Sequence, residues 1–185
     1  MLRKQNLKLA YNSDEDDILR DFYIPALSAA ANYWRLTAYF SASSFFVASA
    51  GFTKLLQNDG HVRLIVGTEL ADVDYQAIHD GYKARETIEG LIINFGDQIS
   101  EISNDLFHKR MDALSKLIES GRLEIKIAYR KAGIFHDKIG IFWDQNGDAV
   151  SFIGSTNESS AAYSKTRNSE SIDAFKSWED VQSGY

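Results

Sequence analysis

Residues 135–157 read FHDKIGIFWDQNGDAVSFIGSTN. Two strand-like runs lie here, Phe135 to Trp143 and Ala149 to Ile153, and Asn146-Gly147 between them is a strong hairpin signal. Side chains alternate across a strand, so His136 and Lys138 fall on one face of the first run. Ile139, Ile141 and Trp143 fall on the opposite, apolar face. The hairpin ends in Gly154-Ser155-Thr156-Asn157, and Asn168 and Glu170 then open a final strand expected from Ser171 to Phe175.

Outward from the hairpin, Leu123 to Tyr129 reads as a further strand. Over 84–120 the apolar residues Ile88, Leu91, Ile92, Phe95, Ile99, Ile102 and Leu106 step by three or four, which predicts long helices with one core-facing stripe. His61 to Val66 and Trp34 to Phe40 read as strands, the latter with Trp34, Leu36, Ala38 and Phe40 on one face. Ser43 to Leu56 has helical spacing, and Gln57-Asn58-Asp59-Gly60 stops it. A first helix is expected from the capping residues Asn12-Ser13-Asp14 onward, through Ile18, Leu19, Phe22 and Tyr23, with Pro25 kinking or ending it. The order helix, strand, helix, strand, long helices, then successive strands predicts an α/β fold: a mixed sheet flanked by helices on both faces.

Composition bounds the function. The 185 residues are 44% hydrophobic and 25% charged, which fits one globular domain over 1–185. Lys and Arg number 20 against 26 Asp and Glu, a net charge of −6, which excludes coating of nucleic acid by bulk charge. There are 0 Cys, hence no disulfide framework, thiolate metal cluster or cysteine nucleophile, and a reducing compartment is expected. Met1-Leu-Arg-Lys-Gln-Asn runs into Asp14-Glu15-Asp16-Asp17 without a signal-peptide core, and Arg35 with several serines interrupts the most apolar window, 33–52. A cytoplasmic protein with no membrane partner is the expectation.

The chemistry gathers between His136 and Glu170. An imidazole can attack phosphorus or move protons near neutral pH. Lys138 and Asn157 are suited to bind non-bridging phosphate oxygens and the charge that builds there in the transition state. Gly154 permits close backbone approach, with Ser155 beside it, and Glu170 can orient an imidazole and stabilise its protonated form. A lone His-x-Lys carries little information. The ordered set His136, Lys138, Gly154-Ser155-x-Asn157 and Glu170 carries the reading.

That set resembles the phospholipase D superfamily, whose signature is His-x-Lys, usually a following Asp, then Gly-Gly/Ser-x-Asn. The match is FHDKIGIFWD, FIGSTN and then Asn168-Ser169-Glu170. The family's usual Asp stands five residues after the Lys, where this chain has Trp143, with Asp144 one further on. Asp144 reads as a turn residue beside Asn146-Gly147, and nuclease members often lack that Asp. Within the superfamily, the tail Asn168-Ser-Glu-Ser-Ile-Asp-Ala-Phe-Lys-Ser-Trp-Glu-Asp is most similar to N-terminal phospholipase D-like domains of superfamily 2 helicases and to metal-independent restriction endonucleases. The resemblance implies a phospholipase D-like fold, and a chain that can be the N-terminal part of a longer helicase-like protein. No Gly-x-x-x-x-Gly-Lys-Ser/Thr loop is present, so no nucleotide motor of that type lies in this chain.

The implied function is a metal-independent phosphodiesterase, an endonuclease acting on DNA through a phosphohistidine at His136, with Lys138, Asn157 and Glu170 completing the catalytic set. It needs no cofactor and no metal. The chain holds one motif where two histidines are required, so a homodimer sharing one site is expected. Substrate-binding roles fall to Gly154, Ser155, Lys165 and Arg167. Lys165 and Arg167 join Arg122, Lys126, Arg130, Lys131 and Lys138 in a basic mouth that suits an anionic polymer. The alternatives are a nucleic-acid-binding module of a helicase with weak turnover and, behind it, a phospholipase or phosphatidyltransferase. His61, His79 and His108 are read as structural or solvated, Asp72 and Asp74 as no metal site, and Thr68-Glu69 as a candidate cleft lining.

Overall fold

The computed structural model describes residues 1–40, 43–67, 117–118, 120–128, 130–164 and 168–179. Within them, seven strands form one mixed sheet: β1 (Ala10–Asn12), β2 (Asn32–Thr37), β3 (His61–Gly67), β4 (Leu123–Ala128), β5 (Ile139–Trp143), β6 (Ala149–Gly154) and β7 (Ser171–Lys176). Their order is β1-β7-β6-β5-β2-β3-β4. Strands β2, β3 and β4 run parallel, and every pair from β2 through β5, β6 and β7 to β1 is antiparallel. The expected hairpin is present, with Trp143 opposite Ala149 and Gly147 at φ +83° in its loop.

The first helical region differs from its expected form. The chain from Ala10 to Asn12 pairs with Ser171 to Asp173 as an edge strand, and helix begins only after Asp17, whose carboxylate accepts from the Arg20 amide at 3.1 Å. Ile18–Tyr23 is a π-helical run that passes into α1 (Ile24–Ala29). Pro25 sits in the first turn of α1, two residues past the last residue of the π-helical run, so the change from π- to α-helix falls beside it. The expected helix 43–56 is two: α2 (Ser43–Val47) and α3 (Ser49–Gln57), broken at Ala48. The expected long helices of 84–120 lie almost wholly outside the described residues.

One face of the sheet carries the core. Tyr33 stacks on Phe142 (centroids 4.6 Å) and Phe142 on Phe152 (5.4 Å), while Phe22 and Tyr23 from the π-helical run meet these rings edge-on. Each such ring pair adds about 0.5–1.5 kcal/mol to area burial. Phe52 and Leu55 of α3 close the layer. In β2 the buried side chains are Tyr33, Arg35 and Thr37, so the alternate residues Trp34 and Leu36 point to the opposite face, where Trp34 is exposed. Among the described residues, no helix is long and apolar enough to cross a membrane.

Candidate active site

Strand ends converge where β2, β3 and β4 finish, β5 begins, β6 finishes and β7 begins. His136 and Lys138 stand just before β5 rather than in it, because that strand starts at Ile139. Two contacts bend the segment. A Cβ on Gly67 would sit 2.8 Å from the Phe135 carbonyl oxygen, so the last residue of β3 must be bare for the chain to pass. The Lys138 Nζ then donates to the His136 carbonyl at 2.9 Å. The same Nζ lies 3.1 Å from both Nδ1 and Nε2 of the ring. An ammonium only donates, so a ring nitrogen can accept from it only in the tautomer that leaves that nitrogen its lone pair.

His136 is exposed and Lys138 is buried. Burial lowers the proton affinity of Lys138, and the Arg35 guanidinium lowers it further, against the opposing pull of Glu170 and Asp137. Glu170, also buried, is gripped at both carboxylate oxygens: Ser155 Oγ donates to Oε2, and Asn168 Nδ2 donates to Oε1 at 3.1 Å. Its backbone is clasped by Ser13, whose N–H donates to the Glu170 carbonyl and whose Oγ accepts from the Glu170 N–H, both at 2.9 Å.

Gly154 answers to packing at this point. A Cβ there would collide with the Ser171 carbonyl oxygen, so β6 and β7 approach only because the position is bare. Ser155 continues the pairing, its N–H donating to the Ser171 carbonyl and its Oγ accepting from the Ser171 N–H, each at 3.0 Å. Asn157 is oriented by a fixed donor: its Oδ1 accepts the Tyr39 backbone N–H at 3.1 Å. That bond assigns the amide oxygen to the protein side and leaves Nδ2 as the donating end.

Beneath the loop lies a group that the sequence reading passed over. Arg35 and Glu158, both essentially inaccessible, approach at 3.4 Å, Nε to Oε2. Arg35 Nη2 donates to the Thr156 carbonyl, and its guanidinium lies 4.8 Å from the Phe152 ring centroid. Tyr33 and Tyr163 donate to the two Glu158 carboxylate oxygens at 2.7 and 2.9 Å. Burial, then the Glu158 charge, pushes both tyrosine hydroxyls well above their ordinary range, and burial lifts Tyr23 to about 12. The available signal was a lone arginine inside an apolar strand.

His136, Lys138, Gly154, Ser155, Asn157 and Glu170 therefore all lie at this one end of the sheet. Lys165 and Arg167 lie outside the described residues, as do His79, His108, Asp72, Asp74 and Thr68-Glu69. The expected basic mouth is smaller than its sequence suggested. Arg122 precedes β4 at the far end of the sheet and bonds Asp59, and Lys126 pairs with Glu124 at 3.0 Å. Arg130 and Lys131 follow β4 at the site's end and are exposed. Asp144 holds the hairpin turn, accepting from Asn146 and Asp148 amides at 2.9 and 3.2 Å and from the Leu2 N–H at 2.8 Å. Among the described residues, no group of three or more His, Cys, Asp or Glu is placed to hold a metal ion.

The seven-stranded mixed sheet with its helices is an α/β fold of the phospholipase D-like kind. Among solved structures, NucT from Helicobacter pylori is similar to it over 89% of this chain and 82% of that one, with a TM-score of 0.50 and 15% identity. At that identity the likeness is one of fold. No family model matches the chain, and no curated protein matches it.

Proposed function

We propose that the chain is a phosphodiesterase of the phospholipase D type, a nuclease that cleaves DNA without a metal ion. The observation that carries this reading is the contact of Lys138 with His136, at the sheet end that also holds Glu170 and an Asn157 amide oriented through its oxygen. These groups supply a nucleophile, a cation, a neutral donor and a carboxylate, the chemistry that phosphoryl transfer requires. The likeness of fold to NucT supports the reading coarsely.

In the proposed reaction a ring nitrogen of His136 attacks phosphorus, forming a P–N bond as the P–O bond to the leaving strand breaks. The leaving oxygen takes a proton from a second imidazole, and that imidazole then accepts a proton from the water that breaks the P–N bond. Among the described residues the other histidine is His61, at the start of β3 and so at the far end of the sheet. The second imidazole is assigned to His136 of the partner subunit, in a homodimer whose two motifs face each other. The exposure of His136 fits that pairing.

The test is incubation with end-labelled DNA in excess EDTA, followed by acid-labile, alkali-stable trapping of label on the protein. Cleavage with a labelled His136 is expected. Cleavage abolished by the chelator overturns the metal-free mechanism, and binding without cleavage by both wild type and His136→Ala replaces the enzyme with a binding module.

A further inference from the structure

We propose that Arg35 and Glu158 are a buried positioning pair that sets the Ser155–Asn157 loop against a bound phosphate. The inference rests on the phosphodiesterase reading for its rate effects, and on the loop geometry for its binding effects. Buried ion pairs are poor sources of stability, since desolvation offsets their attraction, so a specific task is the more informative account of this one.

The geometry names the task. Loop 155–158 carries Asn157, and every hold on it from β2 and the chain just after it passes through a polar group. Arg35 Nη2 grips the Thr156 carbonyl, one residue before Asn157. Glu158, one residue after, is fixed at its side chain by Tyr33, Tyr163 and Arg35. Its N–H lies 3.0 Å from Thr37 Oγ1, and that hydroxyl in turn donates to the Tyr39 carbonyl at 2.7 Å. Tyr39 then supplies the N–H that orients the Asn157 amide. Asn157 is thus held from both sides along the chain and from across the strand end. Loss of the flanking anchors lets Nδ2 drift, and a displacement of about 1 Å costs on the order of 10²-fold in rate.

Arg35 is also felt in the other half of the site. Its charge acts on Lys138, so the buried cation beneath the loop and the cation beside His136 share one field. Two of its nitrogens, Nε and Nη1, are buried without a well-directed hydrogen bond. A side chain kept in place at that cost is doing more than filling space.

The experiment compares wild type, Arg35→Met/Glu158→Gln and Arg35→Lys in the full chain. The double variant removes both charges together. The carboxamide that replaces the Glu158 carboxylate can still accept from one tyrosine and donate to the oxygen of the other, so the core keeps its partners. Three quantities are read: the thermal midpoint, the affinity for inorganic phosphate followed at the Asn157 side-chain amide resonance, and kcat with KM on a short labelled oligonucleotide. The double variant is expected to stay folded, to bind phosphate at least tenfold more weakly, and to lose about 10²-fold in kcat with a smaller change in KM. Arg35→Lys keeps the charge but not the fork that spans Thr156 and Glu158, and is expected to lose about tenfold. A folded double variant with wild-type phosphate affinity and kcat overturns the proposal. If the double variant does not fold, unchanged phosphate binding and kcat in Arg35→Lys overturns it instead. If wild type binds phosphate at Asn157 yet cleaves nothing, the phosphodiesterase reading fails alone, and the phosphate titration still decides the positioning role.

Discussion

The Nζ of buried Lys138 lies 3.1 Å from both ring nitrogens of exposed His136 and 2.9 Å from its carbonyl oxygen. One cation thus holds both the backbone and the side chain of the proposed nucleophile.

The pH dependence follows from Lys138. Burial and the Arg35 charge set its proton affinity below the ordinary lysine value of 10.5. The ammonium is therefore lost earlier on the alkaline side than in a free lysine, and kcat/KM is expected to fall below pH 10.5. Lys138→Arg keeps its charge and moves that limb to higher pH, at a reduced maximum rate. A pH–rate profile checks this; an unmoved limb assigns it to another group. The stability sign is opposite. Between its folded value and 10.5 the unfolded chain binds more protons at this site, so the contribution of Lys138 to stability rises with pH there.

Asn157→Asp separates holding from binding. The carboxylate still accepts the Tyr39 N–H, so the loop keeps its anchor. The donating Nδ2 becomes an anionic oxygen facing a phosphate, which reverses an attraction into a repulsion. The variant is expected to keep its thermal midpoint and lose at least about 10²-fold in kcat/KM, in line with removal of one transition-state donor. Equal losses of folding and activity in melting and kinetic assays contradict this division.

Gly154→Ala is expected to damage both. The new Cβ collides with the Ser171 carbonyl, and neither strand can yield without breaking the pairing that carries Ser155 to Glu170. A loss of about 3 kcal/mol is expected in urea denaturation. Asp144→Asn is the contrast: its contacts are to the turn and to Leu2, so stability falls by about 1–2 kcal/mol while activity per folded chain holds.

Alkaline unfolding should start near the ordinary tyrosine value. Tyr23, Tyr33 and Tyr163 are buried, and burial holds their hydroxyls protonated to higher pH than in the unfolded chain. Above about pH 10 the unfolded chain ionises first, and stability is lost progressively. For Tyr23, raised to about 12, the loss approaches about 2–3 kcal/mol. Denaturant midpoints from mildly alkaline pH up through the tyrosine range measure it, and Tyr163→Phe should flatten the decline.

Much of this site was legible because its residues are tied to turns and strand ends. The hairpin 139–154 follows from alternation around Asn146-Gly147, and β7 from the run after Glu170. His136 and Lys138 were read on a strand, yet they meet off it, because the Gly67–Phe135 approach is a long-range contact and the local bond from the Lys138 side chain to the His136 carbonyl is one that alternation does not encode. β1 was missed for a similar reason: Ala10–Asn12 is too short to show a period and exists only through its pairing with β7. Arg35 and Glu158 were hidden because they lie more than a hundred residues from each other in sequence.

Mixed dimers give the sharpest test of the shared site. A dimer has two His136 side chains but one complete pair, so a wild-type chain paired with His136→Ala has one imidazole for two roles. Loss of the nucleophile or its acid partner removes orders of magnitude in rate. If wild type is refolded with a ninefold excess of His136→Ala, random pairing leaves about a tenth of wild-type chains in intact dimers. Activity per wild-type chain should then fall to about a tenth, tracking the wild-type fraction as the ratio is varied. Glu170→Gln in the same protocol should be milder, because it disturbs orientation and charge without deleting the attacking atom. Activity per wild-type chain that stays constant across the dilution means that each chain works alone, and the second proton-transfer group must then be sought within it.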